Sequence, residues 1–177
     1  FASSYQNVPK KNHVEYPSEM DFCGEKVPTN QADVKERLDR EMLVNINLNA
    51  STAILIKRAN KVFPIIEPIL AKYNVPDDFK YLAVIETGLT NAVSSARATG
   101  VWQIMEATAK ENGLEVNDNV DERYNLEKST EVACKYLLKS KEKLGSWTLA
   151  AAAYNAGDTG VSRRLQEQNV SNYYDLL

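Results

Sequence analysis

Pro76-Asp-Asp-Phe-Lys-Tyr-Leu-Ala-Val-Ile-Glu-Thr-Gly88 is the stretch that decides how this chain is read. It reads as one helix. Phe79, Leu82, Ala83 and Glu86 recur at i, i+3, i+4 and i+7, which places them on a single apolar stripe. Pro76 suits the first turn, and Asp77 and Asp78 suit the positive end of the helix dipole. Gly88 marks the stop. Glu86 is the odd member. A carboxylate on an apolar stripe sheds water, and desolvation favours its neutral form, the form a general acid needs. The ordinary alternative is that Glu86 curls into solvent at the helix terminus.

The same 3.6-residue period extends in both directions. Upstream, Val34, Leu38, Met42 and Leu43 share one face of a charged helix opening at Asn30 or Gln31. A second helix carries Ile54, Leu55 and Ile56. Asn47, Asn49 and Ser51 mark a break between the two, and Pro64 is expected to interrupt or kink the second. Downstream, a loop runs through Gly100. A helix with Met105 and Ala109 then stops near Gly113, and a polar loop spans Glu115 to Tyr124. A strong helix covers roughly 126–143. Ser146 is placed to cap the next, where Trp147, Ala150, Ala151 and Tyr154 recur. Gly157 and Gly160 bracket a turn into a last segment with Val161 and Leu165. Alternating strand patterns are nearly absent, so the fold class is all-α. The chain divides into a polar arm at 1–30, a helical extension packed on the core at 31–75, and a main domain at 76–177. Met20, Phe22 and Val27 are candidates to dock the arm.

Composition narrows the function classes. The 177 residues carry a net charge of −3, which gives no basic surface for nucleic acid. No apolar run approaches a membrane span, so any membrane anchor would come from a segment absent from this chain. Two cysteines, Cys23 and Cys134, and one histidine, His13, leave too few soft ligands for a zinc site. Cys134 sits among Val132, Ala133 and Leu137 and reads as a buried thiol. A Cys23–Cys134 disulfide is the alternative in an exported setting. No cofactor is called for.

Three segments stand out together: AVIETGLTNAVS from Ala83, ATGVWQIMEATA from Ala98 and AAAYNAG from Ala151. Gln103 lies between Trp102 and Ile104. Tyr154 and Asn155 end an almost pure alanine helix. Singly, Trp102, Met105 and Tyr154 read as core, Asn155 as a helix C-cap and Ser94 as a loop hydroxyl.

Taken together, Glu86-Thr87, Gly100-Val101-Trp102-Gln103 and Ala153-Tyr154-Asn155-Ala156-Gly157 resemble three ordered motifs of the lytic transglycosylases of the lysozyme superfamily. These carry the soluble-lytic-transglycosylase (SLT) domain, and the likeness is to the membrane-bound lytic murein transglycosylase D type. It runs from about Pro76 to Val161. The resemblance implies a lysozyme-like, goose-type-lysozyme-like helical domain. It implies cleavage of the bond from N-acetylmuramic acid to N-acetylglucosamine in peptidoglycan glycan strands, with a 1,6-anhydro product, in the periplasm or cell envelope. It makes Glu86 the sole acid/base. Ser94 would bond the substrate's N-acetyl group or the acid, and Gln103 and Met105 would line the subsites. Tyr154 would hold Glu86 in place, and Asn155 would support the tyrosine loop. Thr87, Gly100, Trp102 and Gly157 would support the motifs. Thr87 keeps the hydroxyl of the family's serine. Arg97 stands where a loop glycine is usual and Glu106 where proline is common. A further tyrosine motif is usual after the last segment; Tyr173 and Tyr174 do not match its context. A hydrolase of the goose-type lysozyme kind, a silent muropeptide-binding module and a plain helical scaffold are the competing readings.

Overall fold

The computed structural model describes residues 17, 19–46 and 49–176; His13 lies outside them. Among the described residues the architecture is seven α-helices and one short hairpin, which agrees with the all-α expectation. The hairpin pairs β1 (Met20–Phe22) with β2 (Glu25–Val27). Its two-residue loop has positive φ at both Cys23 (56°) and Gly24 (76°), as a type I′ connection requires. Strands of three residues are too short to show alternation in the sequence.

The helices follow as α1 (Ala32–Ile46), α2 (Asn49–Lys72) and α3 (Lys80–Thr87). After a long loop come α4 (Glu106–Glu111), α5 (Leu126–Leu144), α6 (Trp147–Ala156) and α7 (Asp158–Gln168). Three sequence expectations are corrected here. Residues 77–79 form a 3₁₀ turn ahead of α3 rather than its first turn, with Pro76 as the flanking residue. Gly160 lies inside α7, so Gly157 alone makes the break. Pro64 does not interrupt helix α2, which runs on through Pro64 and Pro68. Both prolines sit on its exposed side, where water can take up the carbonyls that lose an intrahelical donor.

Helix α5 is the axis of the core. Val132, Ala133, Cys134 and Leu137 are buried against Phe79, Leu82 and Ala83, against Ile66 and Leu70 of α2, and against Trp102. The polar residues α5 carries inward are satisfied. Ser129 and Thr130 donate to the carbonyl of Leu126, and Ser140 donates to Asp158 at 2.6 Å. Helix α6 packs on α5: Trp147, Ala151 and Tyr154 lie against the cluster that holds Val132, Ala133, Cys134 and Leu137, and Ala150 and Ala153 are fully buried. Its start is capped as expected: Ser146 Oγ accepts from the Leu149 amide. Cys23 and Cys134 are unbridged. Burial pushes both thiols up to about 12, so neither is a thiolate nucleophile near neutral pH.

Candidate active site

Glu86 stands in the last turn of α3, which ends at Gly88 in the left-handed conformation (φ 59°, ψ 33°). The stripe behind it is buried at Phe79, Leu82 and Ala83, but the burial fades before the helix end. Glu86 is half-buried, which corrects the expectation of a carboxylate sunk into the core. The adjacent Thr87 faces inward. Its hydroxyl lies 3.0 Å from the carbonyl of Val101 and accepts from the Thr90 amide. The end of α3 is thereby tied to the turn that carries Gly100 to Gln103.

That turn is built around one position that has no room for a side chain. Gly100 has φ 84°, and a Cβ there would lie 2.3 Å from the carbonyl oxygen of Arg123. Trp102 is fully buried, and its indole N–H donates to Thr130 at 2.8 Å. Gln103 has φ 51°, outside the usual range for a side-chain-bearing residue. Its amide donates to the carbonyls of Ala92 and Gly100, both at 3.0 Å, which satisfies the loop from within. Arg97 takes a positive φ of 64°, which accounts for the preference for glycine at that position in the resemblance. Glu106, at the first position of α4, pairs with Lys110 one turn on at 2.5 Å.

The end of α6 closes the site from the other side. Asn155 Nδ2 donates to Glu86 Oε1 at 3.0 Å. Tyr154 Oη donates to the carbonyl of Trp102 at 2.7 Å. The two neighbours therefore exchange the roles the resemblance gave them: Asn155 holds the carboxylate and Tyr154 holds the turn. Asn155 is also not a C-cap, since α6 continues through Ala156 and is capped by Gly157. Burial, then the charge of Glu86, raise the Tyr154 phenol far above its ordinary value, so it remains a permanent donor. Its ring packs edge-on against Tyr136, with centroids 5.4 Å apart.

A cleft of about 250 Å³ opens beside these groups, lined by Gln103, Met105, Thr108, Tyr136, Tyr154 and Asn155. Asn155 belongs both to this cleft and to Glu86. Ser94 is not among the lining residues. Its hydroxyl accepts from the Ala98 amide at 3.0 Å and shapes the 94–98 turn.

Sequence reading missed three positioning side chains. Arg123 is buried and forms a two-pronged pair with Asp121 (2.9 and 2.7 Å). The same guanidinium donates to the carbonyls of Arg97 and Ile104, pinning the loop around the turn. Arg58 reaches from α2 to the Gly88 carbonyl at 3.0 Å, a cation at the negative end of α3. Glu25 reaches from the hairpin to the start of α6. The only local signal was the Asp-x-Arg spacing of Asp121 and Arg123.

The transglycosylase SLT domain model matches residues 63–176. Over 97 residues the chain is 32% identical to membrane-bound lytic murein transglycosylase D of Escherichia coli (strain K12). It matches the protein of the same name from Escherichia coli O6:H1 equally well. The match covers 54% of this chain and 22% of either relative, so the chain corresponds to about a fifth of their length.

Proposed function

The chain belongs to the transglycosylase SLT domain family, and from that premise we propose that it is a peptidoglycan lytic transglycosylase with Glu86 as its single acid/base. The substrate is the β-1,4 bond from N-acetylmuramic acid to N-acetylglucosamine in glycan strands, met in the periplasm or cell envelope. Residues 76–177 form the catalytic unit in this reading, with 1–30 and 31–75 as its arm and helical extension. Among the described residues, no helix is long and apolar enough to cross a membrane.

The observation that carries the reading is the Asn155–Glu86 hydrogen bond, which ties the carboxylate, not itself a lining residue of the cleft, to a residue that is. An amide donor on Oε1 leaves Oε2 to carry the proton. Protonated Glu86 gives that proton to the glycosidic oxygen as the leaving sugar departs. The substrate's N-acetyl oxygen assists from the opposite face, as in other substrate-assisted glycosidases. Glu86, now a carboxylate still braced by Asn155, takes the proton of the muramic acid C6 hydroxyl. That oxygen closes on C1 to give the 1,6-anhydro ring. Atoms balance without water, and Glu86 ends as it began.

The second reading is a hydrolase of the goose-type lysozyme kind, which needs a further group to orient water. Of the candidates for a second carboxylate, Asp121 pairs with Arg123, Glu122 with Lys128 and Glu106 with Lys110, while Glu111 and Asp118 make no ion pair among the described residues. Three of the five are thereby occupied, which supports the substrate-assisted route. Mass spectrometry of digested sacculi tests it. Muropeptides with 1,6-anhydro ends are expected from the wild type and none from Glu86→Gln. A folded Glu86→Gln protein that still releases them would remove Glu86 from the mechanism.

A further inference from the structure

The β1–β2 hairpin lies outside the family match at 63–176, yet it touches the starts of both helices that build the site. The Cys23 amide donates to Asp78 Oδ2 at 2.7 Å, immediately ahead of α3. The Glu25 carboxylate accepts from the amides of Trp147 and Thr148 (2.6 and 2.9 Å) and from the Thr148 hydroxyl (2.5 Å). These two amides are among those a helix start leaves without partners, and a carboxylate there also meets the positive end of the dipole. An aromatic ladder joins the same three elements. Phe22 packs edge-on against Phe79, and Phe79 against Trp147, each with centroids 5.5 Å apart.

The far ends of the same helices meet at the site, through the bond from Asn155 to Glu86. Asp78 precedes Glu86 by eight positions, and Trp147 precedes Asn155 by eight. At helical rise both spans are about 12 Å. The approach to α3 and helix α6 are thus linked near their starts, through the hairpin and the ring contact of Phe79 with Trp147, and again at their ends. A displacement of α6 by a fraction of an ångström would lengthen the 3.0 Å contact of Asn155 with Glu86, and besides the hairpin α6 is held by the bond from Tyr154 to Trp102 and by its packing on α5.

We propose that Glu25 is a positioning residue: by capping α6 from the hairpin it sets the place of α6 relative to α3, and so the contact of Asn155 with Glu86. Its kinetic part rests on the function proposed above. The structural part does not.

The test is a double-mutant cycle with Asn155, read two ways. Glu25→Ala is expected to lower kcat about tenfold with KM within about twofold, since a slackened brace costs transition-state geometry more than binding. Glu25→Gln, which keeps one acceptor, should fall between it and the wild type, and it serves if Glu25→Ala folds poorly. In an Asn155→Ala background the same change at Glu25 should cost less than about twofold. Independently of turnover, the side-chain amide resonances of Asn155 should shift in the Glu25 variants of the folded protein. Equal losses of kcat in both backgrounds would overturn the proposal, because Glu25 would then act by another route. Unmoved Asn155 resonances in a folded Glu25 variant would overturn it as well, even if the wild type proved to have no transglycosylase activity.

Discussion

Glu86 and the turn from Gly100 to Gln103 are neighbours held in opposite ways. Glu86 is half-buried, and among the described residues its carboxylate takes one hydrogen bond, from Asn155. The turn is gripped from four elements. Thr87 and Tyr154 bond the consecutive carbonyls of Val101 and Trp102, Thr130 takes the indole N–H, and the Arg123 backbone fills the space a side chain at Gly100 would need. In the proposed mechanism the difference separates two tasks. A group that must give and retrieve a proton has to be open to substrate and lightly partnered. Its aim then comes from a frame that cannot move, and that frame has to be over-determined. Substitutions at the first should change rate, and those in the second should change stability.

Glu86→Gln is the largest test of that division. The amide keeps shape and still accepts from Asn155, but it has no proton of suitable acidity to donate. Turnover should fall by at least about 10³-fold, with the melting temperature moved by no more than about 2 °C. A folded variant within tenfold of wild type would break the comparison at its catalytic side. Gly100→Ala probes the other side. A Cβ placed 2.3 Å from the Arg123 carbonyl, at φ 84°, forces the backbone apart. Urea unfolding should show a loss of about 3 kcal/mol or more. A loss under about 1 kcal/mol would mean the turn is pliable rather than fixed.

Tyr154→Phe sharpens the boundary between the two. Its hydroxyl belongs to the frame, so removal orphans the Trp102 carbonyl. Stability should drop by about 1–2 kcal/mol, while the rate per folded molecule changes less than about threefold. A large rate loss with unchanged stability would place the phenol on the catalytic side.

The smallest effect is a dependence on pH. Burial pulls the Glu25 carboxyl upward, but the hydrogen bonds from Thr148 and Trp147 outweigh it, and the net value is lowered. A lowered native value adds stability that is complete above the ordinary glutamate range and is lost as acid titrates through the native value. The gap in melting temperature between wild type and Glu25→Gln should therefore be full above about pH 5 and close toward about pH 3. A gap that stays constant across that interval would show that Glu25 does not act as a charged cap.

Much of this was legible in the sequence because it is local. The periodic stripes gave α3, α5 and α6, and the caps at Ser146, Gly145 and Gly88 follow from their residue types. The continuity of α2 through Pro64 was not legible, since it depends on which face of the helix meets water. Nor was the exchange of roles between Tyr154 and Asn155. The acceptor for Tyr154 is a backbone carbonyl 52 residues away, and carbonyls carry no sequence signature. Glu25, 122 residues from the helix it caps, was invisible for the same reason. Ile54 and Ile56 at the front of α2 are 51% and 58% exposed, whereas Ile66 and Leu70 farther along the same helix are buried. Apolar pattern marks the face of a helix, and the neighbours decide how much of that face becomes core.

The claim that one lightly held carboxylate suffices is tested most directly by digesting purified peptidoglycan in oxygen-18 water and weighing the products. An intramolecular C6 hydroxyl is held close by the substrate itself, so it needs no group to orient water. The expected products are 1,6-anhydro muropeptides that carry no heavy label. Reducing-end muropeptides with the label as the main species would contradict the claim and make the enzyme a hydrolase with a water-positioning group beyond Glu86.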